Sequence, residues 1–95
     1  MAPVTSLSLA YDDPDFILAY IDDSGIHEAV LKLSDVALEV VASRLIVPAM
    51  FGVTLFGIAY APGPVRGGGR YVWRATNTSS GIDSIFTALR DSTRP

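Results

Sequence analysis

The run of residues 45–65 contains 21 residues without a single charge and is bounded by Arg44 and Arg66. A shorter apolar segment, 36–43, leads into it and carries Glu39 as its only charge. A segment this apolar must lie in the core of a fold or face a membrane or a partner protein. It constrains the fold more than any other feature of the chain.

The composition leaves few polar side chains to cover a surface. Of the 95 residues, 49% are hydrophobic and 18% are charged. A chain of this length is expected to form a single domain, 1–95, and such a domain buries only about two-thirds of the surface of its unfolded chain. Apolar side chains in excess of what a core can hold indicate an interface, so self-association is the first prediction.

Cysteine is absent from the sequence, which excludes disulfides, thiolate metal ligands and a cysteine nucleophile. The first residues lack the basic start and long apolar run of a signal peptide, so we expect a cytoplasmic protein. A membrane span over 45–61 is the disfavoured alternative and is left open. This segment of 17 residues is at the short limit for a spanning helix, and Pro48, Gly52 and Gly57 interrupt it.

The two halves of the chain carry opposite charge. Residues 1–43 hold eight carboxylates against Lys32, a net charge of −7, whereas residues 44–95 hold six arginines against Asp83 and Asp91, a net charge of +4. Such halves attract each other within one chain or between copies. The distribution favours protein contacts, and the overall charge of −3 opposes nucleic-acid binding.

Patterns of apolar residues predict three antiparallel strands in the first third of the chain. Residues 4–10 alternate between two faces, residues 16–21 are apolar throughout, and residues 26–33 follow a strong turn. Glu28 and Lys32 are predicted to share the outer face of the third strand. Together these strands are predicted to form a meander.

Two helices are predicted in the rest of the chain. Ser34 is placed to cap the first, which begins at Asp35, is apolar on nearly all sides and ends near Pro48. The second follows a capping pattern over 80–83 and buries apolar residues at helical spacing within 82–89.

Between the helices, apolar β-branched and aromatic residues predict a strand over 53–61 that is covered on both faces. Alternation predicts another strand over 70–76, after a flexible glycine-rich loop at 62–69. The tail at 92–95 is expected to be disordered. The predicted fold is α+β: a three-stranded antiparallel meander, a helix, a β-hairpin and a C-terminal helix, in the order β-β-β-α-β-β-α.

The sequence offers little for catalysis. His27 is the only histidine, and no serine or aspartate is placed by sequence to complete a relay with it. The aspartates of 12–15 and of 22–23 lie at opposite ends of one predicted strand, about 20 Å apart, too far to share a metal ion. The glycines at 67–69 lie between strands rather than before a helix, which disfavours a phosphate site. We predict no enzymatic activity, metal, cofactor or small-molecule substrate.

Charged residues of opposite sign are the predicted contacts with partners. Residues 70 and 74 point the same way from one strand, and the glycine-rich loop brings residue 66 near them, while Tyr71 and Trp73 take the opposite face and are expected in the core. Pairs of arginine and carboxylate suit the rim of an interface around an apolar centre. The predicted partner-binding residues are Arg66, Arg70, Arg74, Asp12, Asp13, Asp22 and Asp23.

The favoured interpretation is an interaction or assembly subunit that forms homo-oligomers through apolar surface and arginine–aspartate pairing. Structural or accessory proteins of viruses and phages are the analogous classes. The first alternative is a small inhibitor or immunity-type protein that binds another protein. The second is binding of single-stranded nucleic acid through Arg66, Arg70 and Arg74.

Overall fold

Every regular element of the computed structural model, which describes residues 3–64 and 68–90, is a β-strand. Four strands form an antiparallel sheet, sheet A, and three form a second, sheet B, each with its strands in chain order. The strands of sheet A are β1 (Ser6–Asp12), β2 (Asp15–Asp22), β3 (Gly25–Leu33) and β4 (Leu38–Pro48). The strands of sheet B are β5 (Val53–Ala61), β6 (Arg70–Asn77) and β7 (Asp83–Leu89).

The predicted three-stranded meander and the β5–β6 hairpin are present, and turn residues account for their ends. A cis Asp13–Pro14 peptide separates β1 from β2. In the β2–β3 turn, the Asp22 carboxylate accepts a hydrogen bond of 2.9 Å from the Ser24 amide, and Gly25 has φ of 131°. Only glycine adopts that φ without strain, so the turn sequence fixes the register of the hairpin.

The predicted helix from Asp35 to Pro48 is wrong, because that segment forms β4, the edge strand of sheet A. Four of the apolar residues of β4 are β-branched, and these pack better on a pleated strand than on a helix. Ser34 stabilises a turn rather than a helix: its amide donates to the Ala37 carbonyl at 2.8 Å, and its Oγ accepts from the Ala37 amide at 3.2 Å. The β-branched residues are Val40, Val41, Ile46 and Val47.

The predicted C-terminal helix over 82–89 is also wrong, because β7 pairs with β6 along its whole length. The supposed capping residues belong to a tight turn in which Asn77 Oδ1 accepts hydrogen bonds from the amides of Ser79 and Ser80 at 2.9 and 3.0 Å. Over residues 3–64 and 68–90 the fold is therefore all-β, with seven strands in two sheets, and not α+β.

The long uncharged run is divided between β4, a turn and β5, and it has no uniform environment. In β5, Ile58 and Tyr60 are buried while Ala59 and Ala61 are exposed, so the prediction that this strand is covered on both faces is wrong. No helix long and apolar enough to cross a membrane occurs in 3–64 or 68–90.

The core lies between the two sheets and takes one face of each. It contains isoleucines from β2 and β3 and aromatic residues from β5 and β6, packed in one cluster. As the alternation predicts, Tyr71 and Trp73 are buried within it. Its buried members are Ile17, Ala19, Ile21, Ile26, Val30, Ile58, Tyr60, Tyr71, Trp73 and Ala75.

Serine side chains join the two sheets where β5 runs beside β1. Ser6 Oγ accepts a hydrogen bond from the Ile58 amide at 3.2 Å, and Ser8 Oγ accepts one from the Tyr60 amide at 3.3 Å. The two amides of β5, an edge strand of sheet B, thus bond to side chains of β1, and the two strands do not pair through their backbones. Of the predicted flexible loop 62–69, residues 65–67 lie outside the described residues, as does the predicted disordered tail 92–95.

Gly25 and Gly57 provide a matched pair of variants because both have positive φ, at 131° and 69°. A Cβ at Gly25 would overlap the Val47 carbonyl oxygen and lie 2.8 Å from the Ala49 amide nitrogen, whereas a Cβ at Gly57 meets no atom within 4 Å. We expect Gly25→Ala to lower the free energy of unfolding by about 3 kcal/mol or more, and Gly57→Ala by only about 1 kcal/mol. Urea denaturation measures both, and equal losses would contradict the close approach of β4 to the β2–β3 turn.

Candidate functional site

The outer face of sheet A, the face turned away from sheet B, is almost entirely apolar. The pairing of the four strands arranges its side chains in three rows that cross the whole sheet. The rows are Tyr11–Phe16–Leu31–Val40, Leu9–Leu18–Ala29–Ser43 and Leu7–Tyr20–His27–Leu45. No member carries a formal charge when the histidine is neutral, and we call these twelve positions the outer face of sheet A.

Many side chains of this face are open to solvent. Leu7, Leu9, Tyr11, Val40 and Leu45 are each about half exposed or more. An antiparallel sheet normally alternates apolar residues toward the core with polar residues toward water. Because the outer face of sheet A is apolar in addition to the core side chains of its inner face, the sheet has the composition of a layer that is covered on both sides.

The relief of the outer face is uneven. Its half on β1 and β2 consists of leucine and aromatic side chains, whereas the middle row ends on β3 and β4 in Ala29 and Ser43. Ala29 is only 5% exposed even though it points outward, because its larger neighbours rise above it. The face therefore combines a ridge, Leu9–Leu18, with a depression, Ala29–Ser43.

A buried carboxylate lies on the other face of the same sheet. Glu28 is 1% exposed, and its oxygens accept hydrogen bonds from the side chains of Arg90 at 2.5 and 3.3 Å and of Arg44 at 3.1 Å. The Tyr71 hydroxyl also donates to it in a very short contact. Glu28 and Arg44 come from sheet A, whereas Tyr71 belongs to sheet B and Arg90 follows its last strand. The cluster thus bridges the two sheets.

Ionisation in this cluster follows from burial and from the fixed partners. Burial raises the pKa of the Glu28 carboxyl, but hydrogen bonds from Arg90 and Tyr71, and then the arginine charges, outweigh it, so that its pKa lies below the ordinary value. Burial, reinforced by the bond to Glu28, raises the pKa of Tyr71. Burial and the bond to Asp12 raise the pKa of Tyr60 to about 12. Glu28 is therefore ionised and both tyrosines are protonated near neutral pH.

The polar atoms of the cluster have partners within the chain. Every buried side-chain nitrogen and oxygen in the described part of the chain has a hydrogen-bond partner. This arrangement is typical of a structural clasp between the two sheets. The prediction that Glu28 shares an outer face with Lys32 is wrong, because Glu28 points between the sheets.

His27 meets a serine and an aspartate that the sequence did not place beside it. Its Nε2 lies 2.6 Å from Ser24 Oγ and 2.9 Å from Asp22 Oδ1, and Ser24 Oγ donates to the same Asp22 oxygen at 2.6 Å. A catalytic relay needs the serine and the carboxylate on opposite ring nitrogens, whereas both contact Nε2 here. The His27 ring also stacks on Tyr20, with 4.9 Å between centroids. This arrangement stabilises the β2–β3 turn.

The aspartates predicted to bind a partner occupy different environments. Asp12 is 8% exposed and accepts a hydrogen bond of 2.6 Å from the Tyr60 hydroxyl. Asp13 accepts one from Tyr11 at 2.9 Å, and Asp22 is held by the β2–β3 turn. Asp23 is exposed at the tip of that turn. No group of three or more metal-ligating side chains is found within 3–64 and 68–90.

Two of the three predicted arginines lie together, and the third is outside the described residues. Arg70 and Arg74 both project from the outer face of sheet B. Arg74 lies 4.2 Å from the centre of the Phe56 ring and forms an ion pair of 2.9 Å with Asp83 on the neighbouring strand. Arg66 falls in 65–67, which the structure does not describe. Because Tyr71 and Trp73 face the core, the arginines have no aromatic stacking platform from their own strand.

Comparison with protein-family models, with characterised proteins and with solved structures found no match to this chain. The functional interpretation therefore depends on the geometry of the molecule itself.

Glu28→Gln tests the clasp. The variant keeps the shape of the side chain but removes the charge that pairs with Arg44 and Arg90, and we expect a loss of about 3 kcal/mol in the free energy of unfolding near pH 7. Because the folded-state pKa of Glu28 lies below its ordinary value of 4.5, its contribution is complete above that value. The contribution is lost as the pH falls through the lowered pKa, so the gap between wild type and variant should narrow at low pH.

The measurement is urea denaturation of both proteins from about pH 7 to about pH 3. Glu39→Gln, at an exposed carboxylate of β4, is the control and should change the free energy of unfolding by no more than about 0.5 kcal/mol. A gap between Glu28→Gln and wild type that stays constant throughout the acid range would contradict the assignment.

Proposed function

We propose that the chain is a non-enzymatic assembly subunit that associates with copies of itself through the outer face of sheet A. The observation that supports this proposal is the set of three apolar rows that cross all four strands without a formal charge. Covering such a face with a second one removes apolar area from water at roughly 25 cal/mol per Å². Tyr11 and His27 keep their hydrogen bonds within the chain, whereas the hydroxyls of Tyr20 and Ser43 must find partners in the contact.

A second copy of the chain fits this face better than an arbitrary surface does. Two copies related by a two-fold axis parallel to the strands, lying between the packed sheets, place β1 and β2 of each over β3 and β4 of the other. The ridge Leu9–Leu18 of each copy then faces the depression Ala29–Ser43 of its partner. The same rotation thus places the ridge of each copy over the depression of the other, as a self-complementary interface requires.

Charged groups have a secondary role in this proposal. Asp23 is exposed at one end of sheet A, and Arg70 projects from sheet B without an ion pair among the described residues. Asp23 is available for rim contacts between copies, whereas Arg70 lies on the far side of sheet B and points away from this face. Asp12, Asp22 and Arg74 already have partners within the chain. The absence of cysteine is compatible with the reducing cytoplasm, which we propose as the site of assembly.

Leu9→Glu tests the interface at its centre. Leu9 is 53% exposed in the single copy, so its replacement should leave the monomer fold intact. In the assembly each of the two copies would bury one unpaired carboxylate in the contact. We therefore expect the dissociation constant to rise on the order of 30-fold or more. Sedimentation velocity over a range of concentrations measures the change.

Ile85→Glu is the matched control, because Ile85 is an exposed apolar residue on the outer face of sheet B. It should leave this association unchanged. A wild type that stays monomeric at every concentration would refute the proposal. So would a Leu9→Glu variant that associates as the wild type does, and a complex formed only with a different protein would assign the face to a heteromeric partner instead.

A further inference from the structure

Phe51 is fully exposed on a turn that is held in place from several sides. Its relative exposure is 107%, the highest among the large apolar residues described. The Val53 amide donates to the Met50 carbonyl at 3.2 Å, and the Gly52 carbonyl accepts from the Thr78 amide at 2.9 Å and from its hydroxyl at 3.1 Å. The neighbouring Ala49 amide donates to the Ser24 carbonyl at 2.9 Å. An aromatic side chain presented on a fixed turn loses little entropy on binding, which is typical of the central residues of interfaces.

An apolar groove opens beside this turn, between the end of β4 and the inner face of sheet B. Its volume is about 350 Å³. Met50, the neighbour of Phe51, lines the groove together with Leu55, Trp73, Ile82 and Phe86. None of its lining residues carries a charge. The groove is therefore large enough to accept an uncharged, apolar group such as an aromatic side chain.

We propose that Phe51 of one copy inserts into this groove of a second copy, and that the second copy returns the same contact. The projecting side chain and the groove lie side by side on one end of the molecule, so a two-fold axis through that end exchanges them. The surfaces match in charge because neither carries any. This interface is distinct from the outer face of sheet A.

The exposed apolar area around the groove reaches the lower limit for a specific contact. Besides Phe51, the exposed apolar residues around the groove are Met50 at 56%, Ile82 at 64% and Phe86 at 47%. An aromatic side chain buries about 150–250 Å², so these four residues offer on the order of 500 Å² per copy. The total for two copies reaches about 1,000 Å², the lower limit of specific interfaces.

Two separate two-fold contacts allow each subunit to bind two neighbouring copies. A copy joined to one neighbour by the outer face of sheet A keeps its Phe51 end for another neighbour, and the assembly grows beyond a dimer. The contact through Phe51 does not depend on the proposed function, whereas growth beyond the dimer rests on it. This consequence makes the two interfaces separable by experiment.

The experiment compares wild type, Leu9→Glu, Phe51→Asp and the double variant by sedimentation velocity across a range of concentrations. Wild type is expected to exceed a dimer, each single variant to stop at a dimer, and the double variant to remain a monomer. Ser84→Phe fills the groove from an exposed position of its lining and should reproduce Phe51→Asp. Val36→Asp, at a turn residue that is 91% exposed away from both interfaces, is the control and should match wild type.

The fluorescence of Trp73, the only tryptophan, reports on the groove directly. Its emission should change on dilution in wild type and Leu9→Glu but not in Phe51→Asp. The melting temperature of each monomer should stay within about 3 °C of the others, since the altered side chains are exposed.

The outcomes distinguish the two interfaces. If Phe51→Asp and Ser84→Phe assemble as wild type while Leu9→Glu is monomeric, the groove contact is refuted and the outer face of sheet A is upheld. If Leu9→Glu assembles as wild type while Phe51→Asp is monomeric, the proposed function fails and the groove contact stands. The contact would also be refuted if a small apolar ligand occupied the groove while Phe51→Asp assembled as the wild type does.

Discussion

Glu28 holds the two sheets together. Its carboxylate lies between them and accepts hydrogen bonds from Arg44 on its own sheet and from Tyr71 and Arg90 of the other. A buried charge is costly unless its partners surround it, so the sheets must meet in the one arrangement that brings all three donors to the same point. Apolar packing alone specifies position less strictly, because leucine and isoleucine tolerate small shifts that an ion cluster does not. The interior is thus ordered by a polar group, while the exterior remains unusually apolar.

The parts of the fold that the sequence predicts are those governed by local rules. Alternation and turn residues are sufficient for β1, β2, β3, β5 and β6. The pattern failed for β4 because Val41 is an extra residue in its pairing with β3, which disrupts the alternation of faces and makes the strand appear apolar all round. Near and within β7, the apolar positions 82, 85, 86 and 89 fit one side of a helix, and those from 85 to 89 also fit the two faces of a half-covered strand. Only the pairing with β6 decides between these interpretations.

The candidate sites divide in the same way. Surplus apolar surface follows from composition, and the structure places it on the outer face of sheet A and beside Phe51. Composition cannot indicate the face on which an apolar residue lies, because this depends on which strands pair. The Glu28 cluster has no local signal, since Tyr71 and Arg90 lie 43 and 62 residues further along the chain. The predicted aspartate sites were assigned from turn composition, which does not reveal that Asp12 points inward to Tyr60.

The separation between Glu28 and Arg90 also bears on how the molecule is made. The guanidinium that completes the clasp is synthesised 62 residues after the carboxylate it binds. An unpaired carboxylate is costly to bury, so the two sheets reach their full stability only when the segment that carries Arg90 is in place. The interior of the N-terminal sheet therefore depends on a residue that follows β7.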